Sequence, residues 1–351
     1  MQPIQRPESR WNPWVRRLVL FAAVLVTAFA VLWYTPTPYY ITAPGAAIDT
    51  ARLVKAQGGT PRAGHLYMLV LNTSQASLLD YLYAKVDRRA VLENQRQYLG
   101  DIPDYAKYLE LTRQMMADSQ MTAKALAEQR VGLGKGVVPQ GVQVIDLATG
   151  SPSLGILQKQ DVIVAMGGRP IRSLAELQSF MASVQPGTPL VLRIQRGGRE
   201  QEVTVITGED PQQKGRAILG IFPKDNLTFD IPVSVQINSG SITGPSAGLM
   251  FTLQLIDQLS PEGLAGDLKI AGTGTIEPDG SVGTIGGVQQ KVFTAEAAGA
   301  QFMFVPRGNY ADAQKVATRV QLIPVDSLDD ALAWLKAHRT AAGHSSPAAW
   351  L

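Results

Sequence analysis

Residues 244–256 read GPSAGLMFTLQLI, and this stretch decides how the C-terminal part of the chain is interpreted. From Leu249 onward, apolar residues cover most faces of a helix, which predicts a buried helix. The small residues before it predict a tight turn that places Ser246 at the N-terminus of this helix. Backbone N–H groups and the positive end of the helix dipole can stabilise an oxyanion there. Taken alone, a serine in this position is more often an ordinary N-cap than a nucleophile.

A second stretch, residues 286–295 (GGVQQKVFTA), predicts a loop that ends in two glycines and a helix that carries Lys291. Val288, Val292 and Phe293 surround this lysine with apolar side chains. A lysine acts as a general base only when it is neutral, and burial can lower its pKa from ~10.4 by up to ~3–5 units. Taken alone, the stretch favours an amphipathic helix whose lysine reaches solvent.

Together, the two stretches are much more specific. Gly-Pro-Ser-Ala-Gly, and Gly-Gly-x-x-x-Lys with its lysine 45 positions after the serine, resemble the proteolytic domain of the Lon protease family over about residues 220–340. Residues 272–287, which join them, resemble the same family's strand-and-loop run into the lysine helix. The resemblance implies an α/β proteolytic domain in which Ser246 is the nucleophile and Lys291 is the base.

The same resemblance implies supporting roles for four further residues. Thr273 falls where the family has a threonine that orients the lysine. Gly244 and Pro245 fall on the turn before the serine, and backbone N–H groups at the serine and at Ala247 would hold the oxyanion. One position departs from the pattern: Thr243 stands where many Lon proteases have an acidic residue.

Residues 129–208 consist of short β runs separated by glycine and proline, with a tight hairpin turn at Gly167-Gly168 and one helix that Ser173 caps. Four or five strands and a helix in about 75 residues predict a small, partly open β-barrel. The residues that resemble a PDZ domain of the bacterial protease type are Ser151-Pro152, 154–157 (LGIL), 161–163 (DVI), 168–171 (GRPI) and Leu174, with Gln160 in place of the usual glycine.

A PDZ domain binds extended peptide ends by strand addition. We expect this peptide site in the loop and strand of residues 137–142, and specifically at Val138, Gly141 and Val142. The alternative is a domain kept only for spacing or assembly.

The N-terminus carries an uncharged apolar run, Leu18 to Tyr34, which at ~1.5 Å per residue is near the short limit for a bilayer span. Aromatic residues at both of its ends are typical of membrane interfaces. Four arginines precede the run, namely Arg6, Arg10, Arg16 and Arg17. They predict a cytoplasmic N-terminus, a single transmembrane anchor within residues 1–35, and extracytoplasmic domains. The alternative is a cleaved signal peptide, because residues 28–30 (AFA) resemble a cleavage site, although that site lies inside the apolar run.

Between the anchor and the β-rich region, residues 36–128 predict a small α+β region. Pro36 and Pro38 suggest an extended linker, residues 65–71 (HLYMLVL) a strand, and the apolar spacing in 78–86 and 105–116 two helices. A polar stretch, residues 209–216, predicts a linker to the last domain, residues 217–340. The expected fold is therefore multidomain: anchor, α+β region, PDZ-type β-barrel and α/β proteolytic domain.

The composition excludes several kinds of chemistry. The chain has no cysteine, which excludes thiolate catalysis, disulfides and cysteine-bound zinc. Its three histidines, His65, His338 and His344, form no HExxH pattern, so we expect no zinc site and no cofactor. A net charge of +3 over 351 residues, without a basic stripe, argues against nucleic-acid binding. No GxxxxGK[ST] loop occurs, so we expect no ATP-driven motor.

The order of anchor, PDZ domain and Lon-type domain is similar to that of the YlbL-like group of Lon-like PDZ proteases. This resemblance implies an ATP-independent, membrane-anchored serine endopeptidase that cleaves unfolded or membrane-tethered proteins outside the cytoplasm, and a homo-oligomeric ring. Two alternatives remain open. One is a catalytically inactive PDZ scaffold of the cell envelope, which only Thr243 suggests. The other is a structural envelope protein that uses the anchor and residues 36–128 for assembly.

Overall fold

The computed structural model of the chain describes residues 12–60, 65–100 and 102–342. The predictions for Arg6, Arg10 and His344 therefore lie outside the described residues. The chain divides into two compact units. The first comprises the described parts of Met1–Gln120 and Val235–Leu351, and the second is Met121–Ser234, which is inserted into the sequence of the first.

The helices of the described residues are α1 (Pro13–Tyr34), α2 (Leu78–Val86), α3 (Gln95–Leu99), α4 (Tyr105–Arg130), α5 (Leu174–Met181), α6 (Gly248–Leu259), α7 (Val288–Ala297), α8 (Arg307–Gln314) and α9 (Leu328–Ala342). The strands are β1 (Pro36–Asp49), β2 (Val54–Ala56), β3 (His65–Ser77), β4 (Val91–Asn94), β5 (Gly136–Leu147), β6 (Val162–Met166), β7 (Arg169–Pro170), β8 (Pro189–Arg196), β9 (Arg199–Ile206), β10 (Gly208–Asp210), β11 (Gln213–Ile218), β12 (Ile221–Asp230), β13 (Val235–Ile237), β14 (Lys269–Gly272), β15 (Thr275–Ile276), β16 (Val282–Gly283), β17 (Phe302–Pro306) and β18 (Gln321–Val325). The predicted strand at 65–71 and the helices at 78–86 and 105–116 are confirmed.

The first unit is built on a six-stranded sheet in the order β18-β17-β14-β3-β1-β4. Four neighbouring strands, β18 to β3, run parallel, and β1 and β4 continue the sheet in antiparallel pairs. Strand β3 pairs with β14 from His65 opposite Lys269 to Met68 opposite Gly272. Residues from the predicted α+β region therefore form part of the same sheet as the C-terminal segment. The chain divides into its two compact units after Gln120 and after Ser234, and not at the predicted domain boundaries near residues 128 and 208.

The expected linker at Pro36 and Pro38 is wrong, because these residues begin strand β1. This strand pairs with both β3 and β4. Its register against β3 shifts between Pro36 and Tyr40 and again between Pro44 and Ala47. Proline has no N–H to donate to a ladder, so these irregular stretches accommodate the prolines within a strand.

Helices cover both faces of this sheet, as expected for parallel strands. Successive residues of β14 point to opposite faces: Ala271 packs with Val292 of α7, while Gly272 lies against Met250 of α6. A Cβ at Gly272 would lie 2.3 Å from the sulfur of Met250, so this close contact requires glycine. The predicted buried helix is confirmed, since every residue of α6 from Gly248 to Gln258 is buried.

The second unit contains a sheet in the order β12-β5-β6-β8-β9, with β7 paired to β6. The predicted hairpin turn at Gly167 and Gly168 is confirmed, and both glycines have positive φ (54° and 77°). Ser173 caps α5 as predicted, by accepting the N–H of Glu176. Two boundaries differ from the prediction: the expected linker at 209–216 falls in the β10–β11 pair, and β12 pairs with β5 of this unit.

Candidate active site

Ser246 lies in a single 3₁₀ turn, Pro245–Ala247, directly before helix α6. Gly244 precedes the turn with φ of 89°, a conformation that favours glycine. The turn is held closely, because a Cβ at Gly248 would lie 2.5 Å from the Ser119 hydroxyl oxygen and 2.7 Å from a methyl carbon of Ile276. The half-buried serine is therefore presented at the N-terminus of a completely buried helix, as the sequence predicts.

Lys291 lies in the first turn of α7, which begins after Gly287 in the left-handed conformation. Its side chain is buried, with 3% exposed, and the Nζ atom lies 2.7 Å from the Oγ atom of Ser246. Burial lowers the pKa of Lys291 from 10.5 to about 7. A substantial fraction of this amine is therefore neutral near pH 7, and a neutral amine has a lone pair that can accept the serine proton.

Thr273 joins the two parts of this site. Its side chain is buried, and its Oγ1 atom lies 2.9 Å from Nζ of Lys291. The Thr273 hydroxyl donates to the backbone carbonyl oxygen of Ser246 at 3.1 Å. Because that donation uses the hydroxyl proton, the oxygen lone pairs of Thr273 face the lysine, and an N–H of Lys291 donates to them.

A cavity of about 960 Å³ lies beside Ser246 and Lys291. The described residues that line it include one acidic residue, Glu93, and one basic residue, Lys291. The others are apolar or neutral polar residues. One wall consists of Leu69–Ser74 of β3, and another of aromatic and methionine side chains on α4. The cleft therefore suits an extended chain with apolar side chains better than a charged small molecule.

Four tyrosines stack next to this cleft, and three of them line it. Tyr98 stacks on Tyr40 at 4.6 Å between ring centroids and meets Tyr108 at 5.0 Å, while Tyr105 lies 5.4 Å from Tyr40. Burial, together with the hydrogen bond that the Tyr98 hydroxyl donates to Tyr108, raises the pKa of Tyr98. The side chain of Tyr98 therefore stays uncharged in the physiological pH range.

The residues 12–60, 65–100 and 102–342 contain no group of three or more His, Asp or Glu side chains arranged to hold a metal ion.

Two family models match the chain in separate segments. The PDZ domain model matches residues 115–207, and the model of the Lon protease (S16) C-terminal proteolytic domain matches residues 219–336. The chain combines a PDZ domain with a Lon-type proteolytic domain. It is similar to Lon-like PDZ proteases, and its Lon-type domain is that of a serine-type peptidase.

Curated relatives agree with this domain content. The Lon protease of Azospirillum brasilense is 29% identical over 45% of this chain and 20% of its own length. Lon protease 1 of Sorangium cellulosum is 32% identical over 50% of this chain and 22% of its own length. A probable periplasmic serine endoprotease DegP-like of Chlamydia trachomatis is 36% identical over 22% of this chain and 16% of its own length. The chain thus spans less than a quarter of each of these relatives.

Among solved structures, the PDZ domain of an SdrC-like protein from Listeria monocytogenes is 20% identical. It covers 24% of this chain and 87% of its own length, with a TM-score of 0.23.

The Lon-type match begins at residue 219, but the sheet that carries the site also uses β1, β3 and β4 from before the PDZ domain. Helix α4 supports the serine turn directly. The Gly244 N–H donates to the Thr112 carbonyl at 2.9 Å, and the Ser119 hydroxyl donates to the Pro245 carbonyl at 3.1 Å. Sequence reasoning missed both contacts. Thr112 acts through its backbone carbonyl, which no side-chain pattern marks, and Ser119 is one of several polar residues in this helix.

The predicted peptide site of the PDZ domain needs correction. Val138 pairs with Thr228 of β12, and Val142, completely buried, pairs with Asp225 of β12 and with Ile163 of β6. Strand β12 thus occupies the edge of β5 that a peptide would need. Gly141 is also enclosed, since a Cβ there would lie 2.6 Å from a backbone oxygen of β6. The edge strand on this side of the sheet is β12 itself, which lies beyond the predicted domain boundary at residue 208.

One described helix, α1, is long and apolar enough to cross a membrane: Trp14–Tyr34, 21 residues with a mean hydropathy of 2.2. By length and composition it fits a single-pass anchor or a signal sequence.

Proposed function

We propose that the chain is an ATP-independent, membrane-anchored endopeptidase that hydrolyses peptide bonds with a dyad of Ser246 and Lys291. One observation carries this proposal. A buried lysine, whose pKa burial lowers to about 7, lies 2.7 Å from a serine oxygen at the start of a buried helix. Ordinary surface lysines reach solvent and stay charged, so this arrangement has no evident use in folding alone.

Catalysis starts with neutral Lys291. Its amine takes the hydroxyl proton of Ser246, and the serine oxygen forms a bond to the carbonyl carbon of the scissile peptide. The carbonyl π electrons move to its oxygen, and backbone N–H groups at Ser246 and Ala247, at the N-terminus of α6, stabilise that oxyanion. Lys291, now an ammonium, gives its proton to the leaving nitrogen as the C–N bond breaks.

Deacylation repeats the sequence with water. Neutral Lys291 removes a proton from the water as its oxygen attacks the ester carbon. The C–O bond to Ser246 then breaks, and the proton returns to the serine oxygen. Thr273 accepts one N–H of the amine, which restricts its rotation and leaves the lone pair of neutral Lys291 able to turn toward Ser246.

The cleft supports an extended polypeptide as substrate. Strand β3 pairs with β14 from His65 as far as Met68. The next residues, Leu69–Ser74, pair with β1 on one side and line the cleft on the other. In the described part of the chain, no strand pairs with that side of Leu69–Ser74. A substrate segment can add there as a strand and make main-chain hydrogen bonds next to Ser246. Such addition requires an unfolded or flexible segment, which fits a chain without a GxxxxGK[ST] loop.

Membrane anchoring is supported by α1, and the orientation by the arginines at its N-terminal end. Arg16 and Arg17 lie in the first turns of this helix, and no acidic residue occurs in its first turn. Basic residues on the N-terminal side favour a cytoplasmic N-terminus, which leaves the PDZ and Lon-type domains outside the cytoplasm. For the PDZ domain, the outer edge of β12, which contacts α5 and pairs with no strand in the described part of the chain, is the better candidate for peptide recruitment.

The test is cleavage of casein by the full chain in nanodiscs without nucleotide, compared with its Ser246→Ala and Lys291→Ala variants. The matched control is Lys315→Ala, which removes an exposed lysine from the Lon-type unit. We expect cleavage by the unchanged chain and by the control, and a loss of at least a hundredfold in the two dyad variants. Equal activity in all four chains would contradict the dyad. Silence of all four, with peptide binding retained, would favour the inactive PDZ scaffold.

A further inference from the structure

Helix α2 begins where α1 ends. The backbone N–H of Leu78 donates to the carbonyl oxygen of Thr35, the residue that caps α1, at 3.0 Å. A capping box of Ser77 and Asp80 fixes the start of α2. The helix is therefore held at the end of the candidate membrane span that leads into the folded first unit.

Helix α2 is rich in apolar residues although it lies at the surface of the protein. Its sequence, LLDYLYAKV, is mostly apolar, yet none of its residues is buried. Leu82, Tyr83 and Val86 are 53%, 48% and 86% exposed, and their spacing places them on one face of the helix. The opposite side is covered, since Ala84 packs with Ile41 and its neighbours on the sheet. A contiguous apolar face of this kind, left in water, marks a contact with a membrane or a partner.

The charges around this face favour a lipid surface. Lys85, Arg88 and Arg89 follow one another along the end of α2 and the turn after it, and all three are exposed. Arg89 forms an ion pair with Asp87 at 2.7 Å, and Lys85 lies 5.1 Å from the ring centroid of Tyr81. Basic side chains beside an apolar helical face, with tyrosine between them, suit the headgroup region of a bilayer.

We propose that the outward face of α2, formed by Leu82, Tyr83 and Val86, lies in the headgroup–acyl boundary of the same bilayer that α1 spans. This inference rests on the proposed membrane anchor. Continuity with α1 decides the occupant, because a bilayer that contains the end of α1 lies next to α2 whether or not a protein partner is present.

This contact has a consequence for the substrate. The side-chain amide of Gln290 donates to the backbone carbonyl of Arg89 at 3.2 Å, and Gln290 directly precedes Lys291 on α7. The segment that follows α2 thus contacts the helix that carries Lys291, and Val91 and Glu93 of the same segment line the cleft. Segments of membrane-tethered proteins just outside the bilayer are the substrates that this geometry favours over freely diffusing chains.

The absence of cysteine allows a direct test with single cysteines in the full chain. Three chains, Val86→Cys, Val24→Cys in the middle of α1, and Gln321→Cys on β18, are labelled with a bimane fluorophore. Each is placed in two sets of nanodiscs, one with lipids that carry a nitroxide near the headgroup, to report on position 86, and one with lipids that carry a nitroxide deep in the acyl chain, to report on position 24. Gln321 is the matched control, because its side chain is exposed and lies on β18. Strand β18 is four strands away from β1 in the sheet, which is ~19 Å at the usual strand spacing.

We expect quenching of at least half the emission at position 86, and little at position 321. Quenching at position 24 but not at position 86 would overturn the membrane contact of α2 while leaving the anchor in place, and would point to a protein partner. No quenching at position 24 would overturn the anchor and, with it, this inference.

A second measurement covers the case in which labelling disturbs the helix. The Val86→Ser chain replaces one exposed methyl-bearing side chain and leaves the dyad and the cleft untouched. We expect its cleavage of a membrane-tethered substrate, cut a few residues from the bilayer, to fall about threefold or more. Its cleavage of a soluble unfolded protein stays the same. If the Val86→Ser chain cleaves the tethered substrate as fast as the unchanged chain does, the inference is contradicted. If the unchanged chain cleaves neither substrate, the proposed function is contradicted instead.

Discussion

The hydroxyl of Thr273 donates to the backbone carbonyl of Ser246 while its oxygen accepts from the amine of Lys291. One buried side chain thus links Ser246 to Lys291 and helps to set the distance between them. This relationship orients the amine of the proposed dyad. One N–H of Lys291 points to the Thr273 oxygen, and the Ser246 oxygen lies beside the same nitrogen.

Replacing Thr273 with valine removes both hydrogen bonds but keeps nearly the same shape. We expect kcat to fall about tenfold to a hundredfold with little change in KM, because orientation of the base is lost and substrate contacts remain. Thr273→Ser keeps the hydroxyl and serves as the matched control, with activity within a few-fold of the unchanged chain. Steady-state kinetics on a fluorogenic peptide measures both. A fully active Thr273→Val chain would show that the threonine has no role in orienting the lysine.

The buried lysine also affects stability in a way that depends on pH. Its pKa is about 7 in the folded chain and 10.5 as a free side chain, so between these values the unfolded state binds more protons. The free energy of unfolding therefore rises with pH in this window, by at most ~1.4 kcal/mol per pH unit. As pH falls toward 7, this gain in stability disappears, because the unfolded chain takes up the proton that the buried lysine does not bind.

The Lys291→Met chain removes this titration with a similar volume. We expect it to be more stable than the unchanged chain at pH 7, with the advantage shrinking as pH approaches 10. Hydrogen exchange of the buried helix α6, followed by mass spectrometry at several pH values, measures the difference. A difference that does not change with pH would mean that the lysine is not held neutral in the folded state.

Ser119 supports the serine turn through its bond to the Pro245 carbonyl. Its replacement by alanine removes one buried hydrogen bond, worth about 1 kcal/mol. If this bond holds the turn in its reactive geometry, kcat falls about fivefold and KM stays the same. The control is Asp118→Ala, an exposed neighbour on the same helix. A change in KM alone would indicate a substrate contact rather than a positioning role.

The tyrosine wall of the cleft predicts a preference among substrates. Replacing Tyr108 with alanine opens the wall that Tyr98 and Tyr105 share with it. We expect kcat/KM for peptides with a large apolar or aromatic residue near the scissile bond to fall about tenfold or more. Peptides with alanine in its place change little. Profiling a peptide library with both chains tests this, and a uniform loss across all peptides would contradict it.

The sequence predicted the local parts of the site and not its surroundings. Ser246, Thr273 and Lys291 lie in short motifs within 45 positions of one another, and local turns and helix starts fix their geometry. The burial of α6 could be anticipated from its apolar residues, whereas the stretch around Lys291 taken alone favoured a lysine that reaches solvent. The predictions for the turn around Gly167 and the cap at Ser173 succeeded for the same reason.

The rest depended on contacts between distant parts of the chain. Strand β3 reaches β14 across the inserted PDZ domain, from His65 to Lys269, and no local pattern in either segment specifies that pairing. The prolines at the start of β1 suggested a linker, because their local preference is the same in a linker and in an irregular strand. The expected peptide site at Val138, Gly141 and Val142 was wrong because β12, placed in the next domain by its position in the sequence, fills that edge.

The most direct test of the central claim is the pH dependence of kcat/KM for the full chain in nanodiscs, measured with an uncharged peptide. It reports the pKa of the essential base in the free enzyme. The account predicts a rising limb centred near pH 7, in line with the lowered pKa of Lys291, and its disappearance with the activity in Lys291→Ala. A limb centred near pH 10, or an unchanged profile in Lys291→Ala, would contradict it.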